Sequence, residues 1–203
     1  MPKIVNVDDK LNYICERAYE ELVKNGVGQF SLNKFIDSLN MSKGQFYHYF
    51  KTKEELICKA IDTKCYEAFT RTYEAARLQK TFLEKMRTFF AFFLGESETQ
   101  FGALEDVLKR IFHLYLNSES SAIKQLNREF YRVMFSYIDE MFETMITQGL
   151  IKEEGRGLAR SFIATVDGMY VHSLMNDDFD MKVSLEAYLK IMDGLLAIQK
   201  EQC

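Results

Sequence analysis

The chain of 203 residues contains a single proline, and that proline stands at position 2. Average usage would place about ten prolines in a chain of this length. Because proline removes an amide donor and clashes with the preceding turn, it interrupts the interior of a helix. Apolar residues recur at helical spacing along most of the chain, and no segment alternates polar and apolar residues between hairpin turns. The sequence therefore predicts an all-α protein.

The apolar periodicity predicts about nine helices. Three short helices come first, at about 10–24, 32–39 and 42–49. A longer helix runs from about Thr52 to Gln79, and Thr52-Lys53-Glu54-Glu55 at its start has the form of a capping box. The remaining helices are predicted at about 82–94, 103–117, 121–148, 157–175 and 183–200. The expected architecture is a three-helix head, a connecting helix and a helical body.

Composition excludes several other classes of protein. With 47% hydrophobic residues, the chain can bury a core and is not intrinsically disordered. The N-terminus has no signal-peptide stretch, and the densest apolar run, Phe89 to Leu94, is far shorter than the roughly 20 residues that cross a bilayer. No C-x-x-C pair occurs among Cys15, Cys58, Cys65 and Cys203. We expect a reduced, cytoplasmic protein without a membrane segment, metal or cofactor.

The second and third short helices form a candidate DNA-binding unit. Asn40-Met41-Ser42 separates them, a turn of the length found in helix-turn-helix units, and a preceding helix supports them. On a helical wheel, Phe46, Tyr49 and Phe50 share one face of the third helix and are expected to point inward. The opposite surface has no aliphatic side chain and consists of Lys43, Gly44, Gln45, Tyr47 and His48. Glutamine can pair bidentately with adenine, lysine can donate to guanine or phosphate, and glycine lets the backbone approach the duplex.

The distribution of charge supports this interpretation, although the formal net charge of the chain is −4. Residues 24–53 contain five lysines and one acid, which is a local charge of +4. Residues 66–203 contain 16 basic and 21 acidic residues, which is a local charge of −5. Phosphate binding requires basic charge, and here that charge coincides with the candidate helix-turn-helix.

The head also carries a set of motifs: Ser31-Leu32, Phe35-Ile36, Leu39-Asn40-Met41-Ser42-Lys43-Gly44, Phe46-Tyr47, Tyr49-Phe50 and Thr52-Lys53-Glu54-x-Leu56. In these motifs, over about residues 11–60, the chain resembles the tetracycline-repressor-like (TetR) family of bacterial transcriptional regulators. It departs from the family pattern at Ile36, Asn40 and Tyr49, where alanine, glycine and histidine are customary. Asparagine can replace glycine at position 40 because it tolerates the left-handed backbone conformation, which we expect there. None of these changes removes an expected DNA contact.

The resemblance implies a helix-turn-helix domain at residues 1–51 that binds double-stranded DNA. The residues implied to contact DNA are Ser31, Ser42, Lys43, Gly44, Gln45, Tyr47, His48, Thr52 and Lys53. Among them, Ser42, Lys43, Gln45 and His48 would face base edges. Tyr47 and Lys53 would hold phosphates, and the free amides at the helix start beside Lys53 also favour an anion.

In regulators of this family the last two helices form a dimer interface, which lies here within a body at residues 52–203. The last predicted helix carries a wide apolar stripe made of Leu185, Tyr188, Leu189, Met192, Leu195 and Leu196. The preceding helix aligns small or polar residues that permit close approach, namely Ser161, Thr165, Gly168 and His172. A homodimer would read a palindromic operator with two heads roughly 34–36 Å apart.

The middle of the body is rich in aromatic residues, which together with the resemblance implies a cavity for a small apolar or aromatic effector. The residues expected to bind it are Phe89, Phe93, Phe112, His113, Tyr131, Phe135 and Tyr170. Few cationic side chains interrupt this region, so a strongly anionic effector is not expected. Effector binding would shift the connecting helix, change the separation of the heads and release a repressor from its operator.

Two other classes of function remain open from the sequence. The first is an architectural or partner-recruiting DNA-binding protein that has no small-molecule effector. The second is a small all-α enzyme. It is disfavoured because the chain has no H-E-x-x-H, G-x-S-x-G or P-loop motif and its three histidines are far apart. We expect a regulator that is not an enzyme.

Overall fold

The computed structural model describes residues 7–95, 102–117 and 119–198. Two 3-10 helices, Val27–Gln29 and Glu153–Leu158, and one isolated antiparallel bridge between Ile151 and Ala197 accompany the α-helices of these residues. The α-helices are α1 (Val7–Asn25), α2 (Leu32–Ser38), α3 (Lys43–Tyr49), α4 (Lys53–Arg77), α5 (Phe82–Phe89), α6 (Ala91–Leu94), α7 (Gly102–Asn117), α8 (Ser121–Thr147), α9 (Ala159–Met175) and α10 (Met181–Leu196). The predicted all-α fold is confirmed.

The described residues form ten α-helices rather than about nine, because the helix predicted at 82–94 is interrupted at Phe90. Phe90 has φ −94° and ψ 17°, outside the helical region. Phe89 and Phe90 are both fully buried, and their rings meet edge to face at 5.0 Å. Neighbouring residues on a regular helix point about 100° apart. The break therefore lets two consecutive rings enter the same core.

The last two helices also begin and end at positions that differ from the prediction. The helix α10 starts at Met181, because the carboxylate of Asp180 accepts a hydrogen bond from the amide of Val183 at 2.9 Å. It ends at Leu196, because Ala197 is extended and pairs with Ile151. The first turn predicted for α9 belongs instead to the second 3-10 helix. The predicted helix end at 200 lies outside the described residues.

The described chain divides into two compact units. The first comprises the described parts of Met1–Tyr66 and Gly102–Phe130. In it α1 packs against α7, and α1 contributes the buried side chains of Ile14, Ala18 and Leu22. Lys64 on α4 forms an ion pair with Glu16 on α1. These contacts anchor the start of α4 to the helices of the head.

The second unit comprises the described parts of Glu67–Phe101 and Tyr131–Cys203. Here α10 packs against α5, α6 and α9. The rings of Phe82, Phe142 and Phe162 meet in its core with centroid separations of 5.2 to 5.9 Å. Between α5 and α10, the Nε atom of Arg87 donates to both carboxylate oxygens of Glu186, at 3.0 and 3.2 Å. The aromatic packing thus joins α5, α8 and α9, and the ion pair joins α5 to α10.

A buried lysine closes the end of α4 in the second unit. Lys85 on α5 is buried, and its Nζ donates to the carbonyl oxygens of Arg77 at 2.9 Å and Ala76 at 3.3 Å. The last carbonyl groups of a helix have no partner within the helix. Lys85 supplies that partner, and burial lowers the pKa of its ammonium group.

The cysteines of the described chain are structural rather than reactive. Cys15, Cys58 and Cys65 are buried and unpaired by disulfides, and burial raises the pKa of each thiol, to about 11 for Cys15 and about 12 for the other two. A thiol that stays protonated is a poor nucleophile. Cys203 lies outside the described residues. Across residues 7–95, 102–117 and 119–198, no helix is long and apolar enough to span a membrane, and no acid, cysteine and histidine cluster could hold a metal ion.

Candidate DNA interface and effector region

The turn between α2 and α3 depends on Asn40. Its φ of 51° is the one positive value at a non-glycine residue in the described chain. Asparagine tolerates the left-handed region because its short polar side chain can hydrogen-bond locally. Its amide donates to the carbonyl oxygen of Asp37 at 3.1 Å, which closes the turn. The left-handed conformation expected for Asn40, where the family usually has glycine, is confirmed.

A capping box fixes the start of α3. The amide of Gln45 donates to Oγ of Ser42 at 3.2 Å, and the amide of Ser42 donates to Oε1 of Gln45 at 3.0 Å. Each side chain thus satisfies a backbone amide that has no partner within the helix. Ser42 and Gln45, both expected to face base edges, are also the residues that stabilise the first turn of α3.

The remaining residues of α3 and the residue after it separate into a buried and an exposed face, and Tyr49, also predicted to point inward, is half-buried. Phe46 and Phe50 are buried in the head, with ring centroids 5.7 Å apart. The exposed surface consists of Ser42, Lys43, Gly44, Gln45, Tyr47 and His48. A Cβ atom built on Gly44 would come no closer than 4.0 Å to the atoms around it, so the fold itself does not require glycine there. Its absence of a side chain leaves the backbone open to close approach.

Basic side chains are exposed on the same head. Four of the five lysines in residues 24–53 are exposed, namely Lys24, Lys34, Lys43 and Lys51. The amino group of Lys51 donates to the carbonyl oxygen of Tyr47 at 3.3 Å, which draws it to the end of α3. The structure therefore brings positive charge and the polar face of α3 together on the head.

Three of the residues predicted to contact DNA lie at the ends of α2 and α4. Ser31 is at the N-cap of α2 but makes no side-chain capping bond, so its hydroxyl is not used by the helix. The hydroxyl of Thr52 accepts from the amide of Glu55 at 3.1 Å. Lys53 is half-buried, and its Nζ donates to the carbonyl oxygen of Phe30 at 2.6 Å and lies 5.6 Å from the Phe30 ring centroid. Lys53 therefore ties α4 to the segment before α2, a role that the sequence did not reveal.

Glu55 is a structural residue of the head that the sequence prediction assigned only to a capping box. One carboxylate oxygen accepts from the amide of Lys51 at 2.9 Å, not from Thr52 as that motif predicts. The other accepts from the hydroxyl of Ser120 at 2.8 Å, and Ser120 itself precedes α8. Glu55 thus links the turn after α3 to the start of α8. The Glu55 to Ser120 contact spans 65 residues, so no local motif could have indicated it.

The predicted effector residues fall in both units. Phe89, Phe93, Tyr131, Phe135 and Tyr170 belong to the second unit, where they are buried or half-buried. There the Phe93 ring lies 5.5 Å from that of Tyr170, and the Tyr131 ring lies 5.9 Å from that of Phe135. The other two, Phe112 and His113, lie on α7 in the first unit, and His113 is exposed. That these seven residues line one effector site stays a prediction.

A carboxylate that the sequence reasoning missed lies within the second unit. Asp167 on α9 accepts a hydrogen bond from the hydroxyl of Tyr131 on α8, and burial raises the pKa of its carboxyl group. Burial and the carboxylate likewise raise the pKa of Tyr131. Nothing in the sequence paired Asp167 with a residue on another helix.

The apolar stripe predicted on the last helix is divided between the core and the surface. Leu185, Leu189 and Leu196 are buried within the chain, so they cannot also contact a partner subunit. A different face of α10 is exposed, and it carries Val183, Ala187, Ile191 and Leu195 at successive intervals of four residues. Ile191 and Leu195 expose 63% and 58% of their surface. On α9, Ser161, Gly168 and His172 are exposed as well.

Comparisons with known proteins agree with this geometry. Residues 14–59 match a family model described as "Bacterial regulatory proteins, tetR family". The chain is 24% identical over 190 residues to the fatty acid metabolism regulator protein of Bacillus subtilis (strain 168), with 90% of this chain and 93% of that protein covered.

Solved structures share the fold of the whole chain. The reduced form of NemR from E. coli matches with a TM-score of 0.67 and 15% identity, covering 90% of this chain and 96% of that one. The fatty acid degradation regulator FadR from Bacillus halodurans matches with a TM-score of 0.64 and 16% identity, covering 89% and 96%.

The exposed polar helix, the basic surface around it and the helical body define a helix-turn-helix transcriptional regulator. Within that class, residues 14–59 match the tetR family of bacterial regulatory proteins.

Proposed function

We propose that the protein is a cytoplasmic, homodimeric repressor that binds a palindromic operator and is released by a small apolar effector. The observation that carries the proposal is the face of α3, on which every exposed side chain is polar while Phe46 and Phe50 hold the helix to the head. Such a face is suited to the major groove, whose base edges offer hydrogen-bond donors and acceptors. The functional division at residues 1–51 and 52–203 is part of the proposal.

In the proposed complex, Lys43 and His48 reach base edges, and Tyr47, Thr52 and Lys53 contact phosphates. An ammonium group has three N–H donors. Lys53 directs one of them to Phe30, which leaves two for a phosphate oxygen. The same contact fixes the position of Lys53, so less conformational freedom is lost when DNA binds. Ser31 offers a hydroxyl that its own helix does not use.

The proposed dimer uses the exposed face of α10 together with α9. Ile191 and Leu195 would leave water on association, and apolar burial is the main driving force for subunit contact. A Cβ atom built on Gly168 or Gly194 would meet nothing within 4 Å in the single chain, so both glycines leave room for a partner helix. Two heads joined in this way would bind the two halves of a palindrome.

The proposed effector binds in the second unit and contains an acyl chain or an aromatic group. Support for the acyl class comes from the relative whose name is fatty acid metabolism regulator protein. Asp167 further restricts the chemical class of the proposed effector. A buried carboxylate repels a second carboxylate, so a neutral polar end is favoured over an anionic one. Because α4 supplies residues to both units and begins at Lys53, a shift of α4 is the proposed route from effector to operator.

The test of DNA binding is selection of bound sequences from a random library, followed by affinity measurements over a range of salt concentrations. We expect a palindromic site. Lys53→Ala should weaken binding to all sequences alike and reduce the salt dependence, because a phosphate contact carries no sequence information. Lys80→Ala, which removes an exposed lysine of the second unit, is the matched control and should change neither quantity. Failure to select any sequence would refute the proposed function.

The test of the effector compares fatty acids with their methyl esters at fixed salt, using release from the selected operator as the measurement. The ester should release the protein at lower concentration than the acid of the same chain length. Asp167→Asn should narrow that difference, because it removes the negative charge. If no apolar compound lowers operator affinity or raises the melting temperature, the alternative without an effector is favoured.

A further inference from the structure

The amide group of Gln45 has a defined orientation in the head. Its Oε1 atom lies 3.0 Å from the backbone nitrogen of Ser42. The oxygen and nitrogen of a glutamine amide are usually assigned from their hydrogen bonds. A backbone N–H can only donate, so the atom that faces it must be the carbonyl oxygen. The amide nitrogen Nε2 is therefore the atom left for a ligand.

The capping box holds the carbonyl oxygen against the first turn of α3. The backbone amide of Gln45 also donates to Oγ of Ser42 at 3.2 Å, which completes the box, while the bond to Oε1 holds the Gln45 side chain. Gln45 is exposed, and no hydrogen bond described in the head engages its Nε2. As long as the box is intact, Gln45 presents two N–H donors.

This arrangement changes which base Gln45 can recognise. Bidentate pairing with adenine needs the amide oxygen to accept from N6 while the nitrogen donates to N7. In the box the oxygen is already engaged, and turning it towards a base would leave the amide of Ser42 without its partner. Guanine presents two acceptors, O6 and N7, and thymine presents one, O4. Adenine and cytosine present a donor amino group, which would face the donors of Gln45.

We propose that Gln45 reads its base as a hydrogen-bond donor only, and that it favours guanine over adenine at one position of each half-site. Thymine ranks second because it offers a single acceptor. The inference rests on the proposed function, since it concerns how the same helix selects its operator. It replaces the expectation that Gln45 pairs with adenine.

The experiment uses the full chain and repeats the DNA selection with three variants. In Gln45→Glu a carboxylate oxygen can still accept from Ser42, so the box is kept, but the donors are replaced by an acceptor. That variant should no longer select guanine at one position of the half-site. It should select cytosine there instead, because the amino group of cytosine can donate to a carboxylate. Gln45→Ala should accept all four bases there. Gln29→Ala, the matched control at another exposed glutamine of the head, should keep guanine at that position.

The affinity of the unchanged protein gives a second measurement that needs no variant. Exchange of that guanine for adenine should weaken binding about tenfold, which corresponds to about 1.4 kcal/mol. The inference would be overturned if the unchanged protein selected adenine at the position where Gln45→Ala abolishes the base preference. It would also be overturned if both Gln45 variants kept the base preference of the unchanged protein at every position. Either result would leave the proposed function intact. If the unchanged protein selects no sequence, both the function and the inference fail.

Discussion

Asp62 should make the stability of the protein depend on pH in a direction opposite to that of most carboxylates. It lies on α4 in the first unit, its side chain is only 13% exposed, and its nearest cation is Nζ of Lys59 at 3.7 Å. Burial, with a smaller contribution from Glu129, raises the pKa of the carboxyl group from 3.8 to about 6, although Lys59 opposes the change. The folded protein therefore holds this proton more tightly than the unfolded chain does.

The sign and size of the effect follow from this difference in pKa. Above about pH 6 the charged carboxylate lowers the free energy of unfolding. This destabilisation disappears as the pH falls from about 6 towards 4, because the carboxyl group becomes protonated in the folded protein. A difference of about two pKa units corresponds to about 3 kcal/mol, because one unit is worth about 1.36 kcal/mol. Asp62→Asn cannot ionise, so it should raise the free energy of unfolding at pH 8 by up to about 3 kcal/mol.

Urea unfolding of both proteins between about pH 4 and 8 measures this difference. The advantage of the variant should be largest at pH 8, fall through pH 6 and vanish near pH 4. Asp106→Asn changes an exposed aspartate on α7 and serves as the control, which should show no comparable dependence on pH. A difference in stability that stays constant with pH, or a variant less stable than the parent at pH 8, would refute the reasoning.

Three other substitutions test separate features. Lys85→Met should lower the free energy of unfolding by about 1 to 3 kcal/mol, because it removes the hydrogen bonds from Nζ to the carbonyl oxygens of Arg77 and Ala76 at the end of α4; urea unfolding measures the loss. Ile191→Glu should convert a dimer into monomers in analytical ultracentrifugation, because it places a charge on the exposed apolar face of α10. Lys190→Glu on the same helix should remain a dimer. If both variants have the same oligomeric state, this face is not the interface. Ser120→Ala should lower the melting temperature, because it removes a hydrogen bond to Glu55 and a cap of α8 worth about 1 kcal/mol; an unchanged melting temperature would contradict that role.

Periodicity and local capping were sufficient to predict much of the head. The spacing of Phe46 and Phe50 placed the buried face of α3 correctly, and the tolerance of Asn40 for a left-handed conformation located the turn. The capping box of Ser42 and Gln45 was also readable from its spacing, although the sequence interpretation gave Gln45 a role in DNA binding only. The same residues serve to cap α3 and to face DNA, and a helical wheel shows only the direction in which a side chain points.

Contacts between distant parts of the sequence were not predictable in this way. The hydrogen bond from Lys53 to the Phe30 carbonyl spans 23 residues and depends on how α4 leaves the head. The pairing of Tyr131 with Asp167 needs the register of two packed helices. The break at Phe90 has no proline or glycine to mark it, because it arises from the burial of two adjacent rings. In each case tertiary packing overrides the local pattern.

The single antiparallel bridge has a consequence for how the α9 and α10 pair could associate. The amide of Ile198 donates to the carbonyl oxygen of Leu150 at 2.9 Å. The amide of Lys152 donates to the carbonyl oxygen of Leu196 at 3.0 Å. These two hydrogen bonds join the ends of the segment 151–197, which contains α9 and α10. A hairpin fastened at its open end has little freedom left to lose, so the entropic cost of docking a second copy on its outer face is reduced.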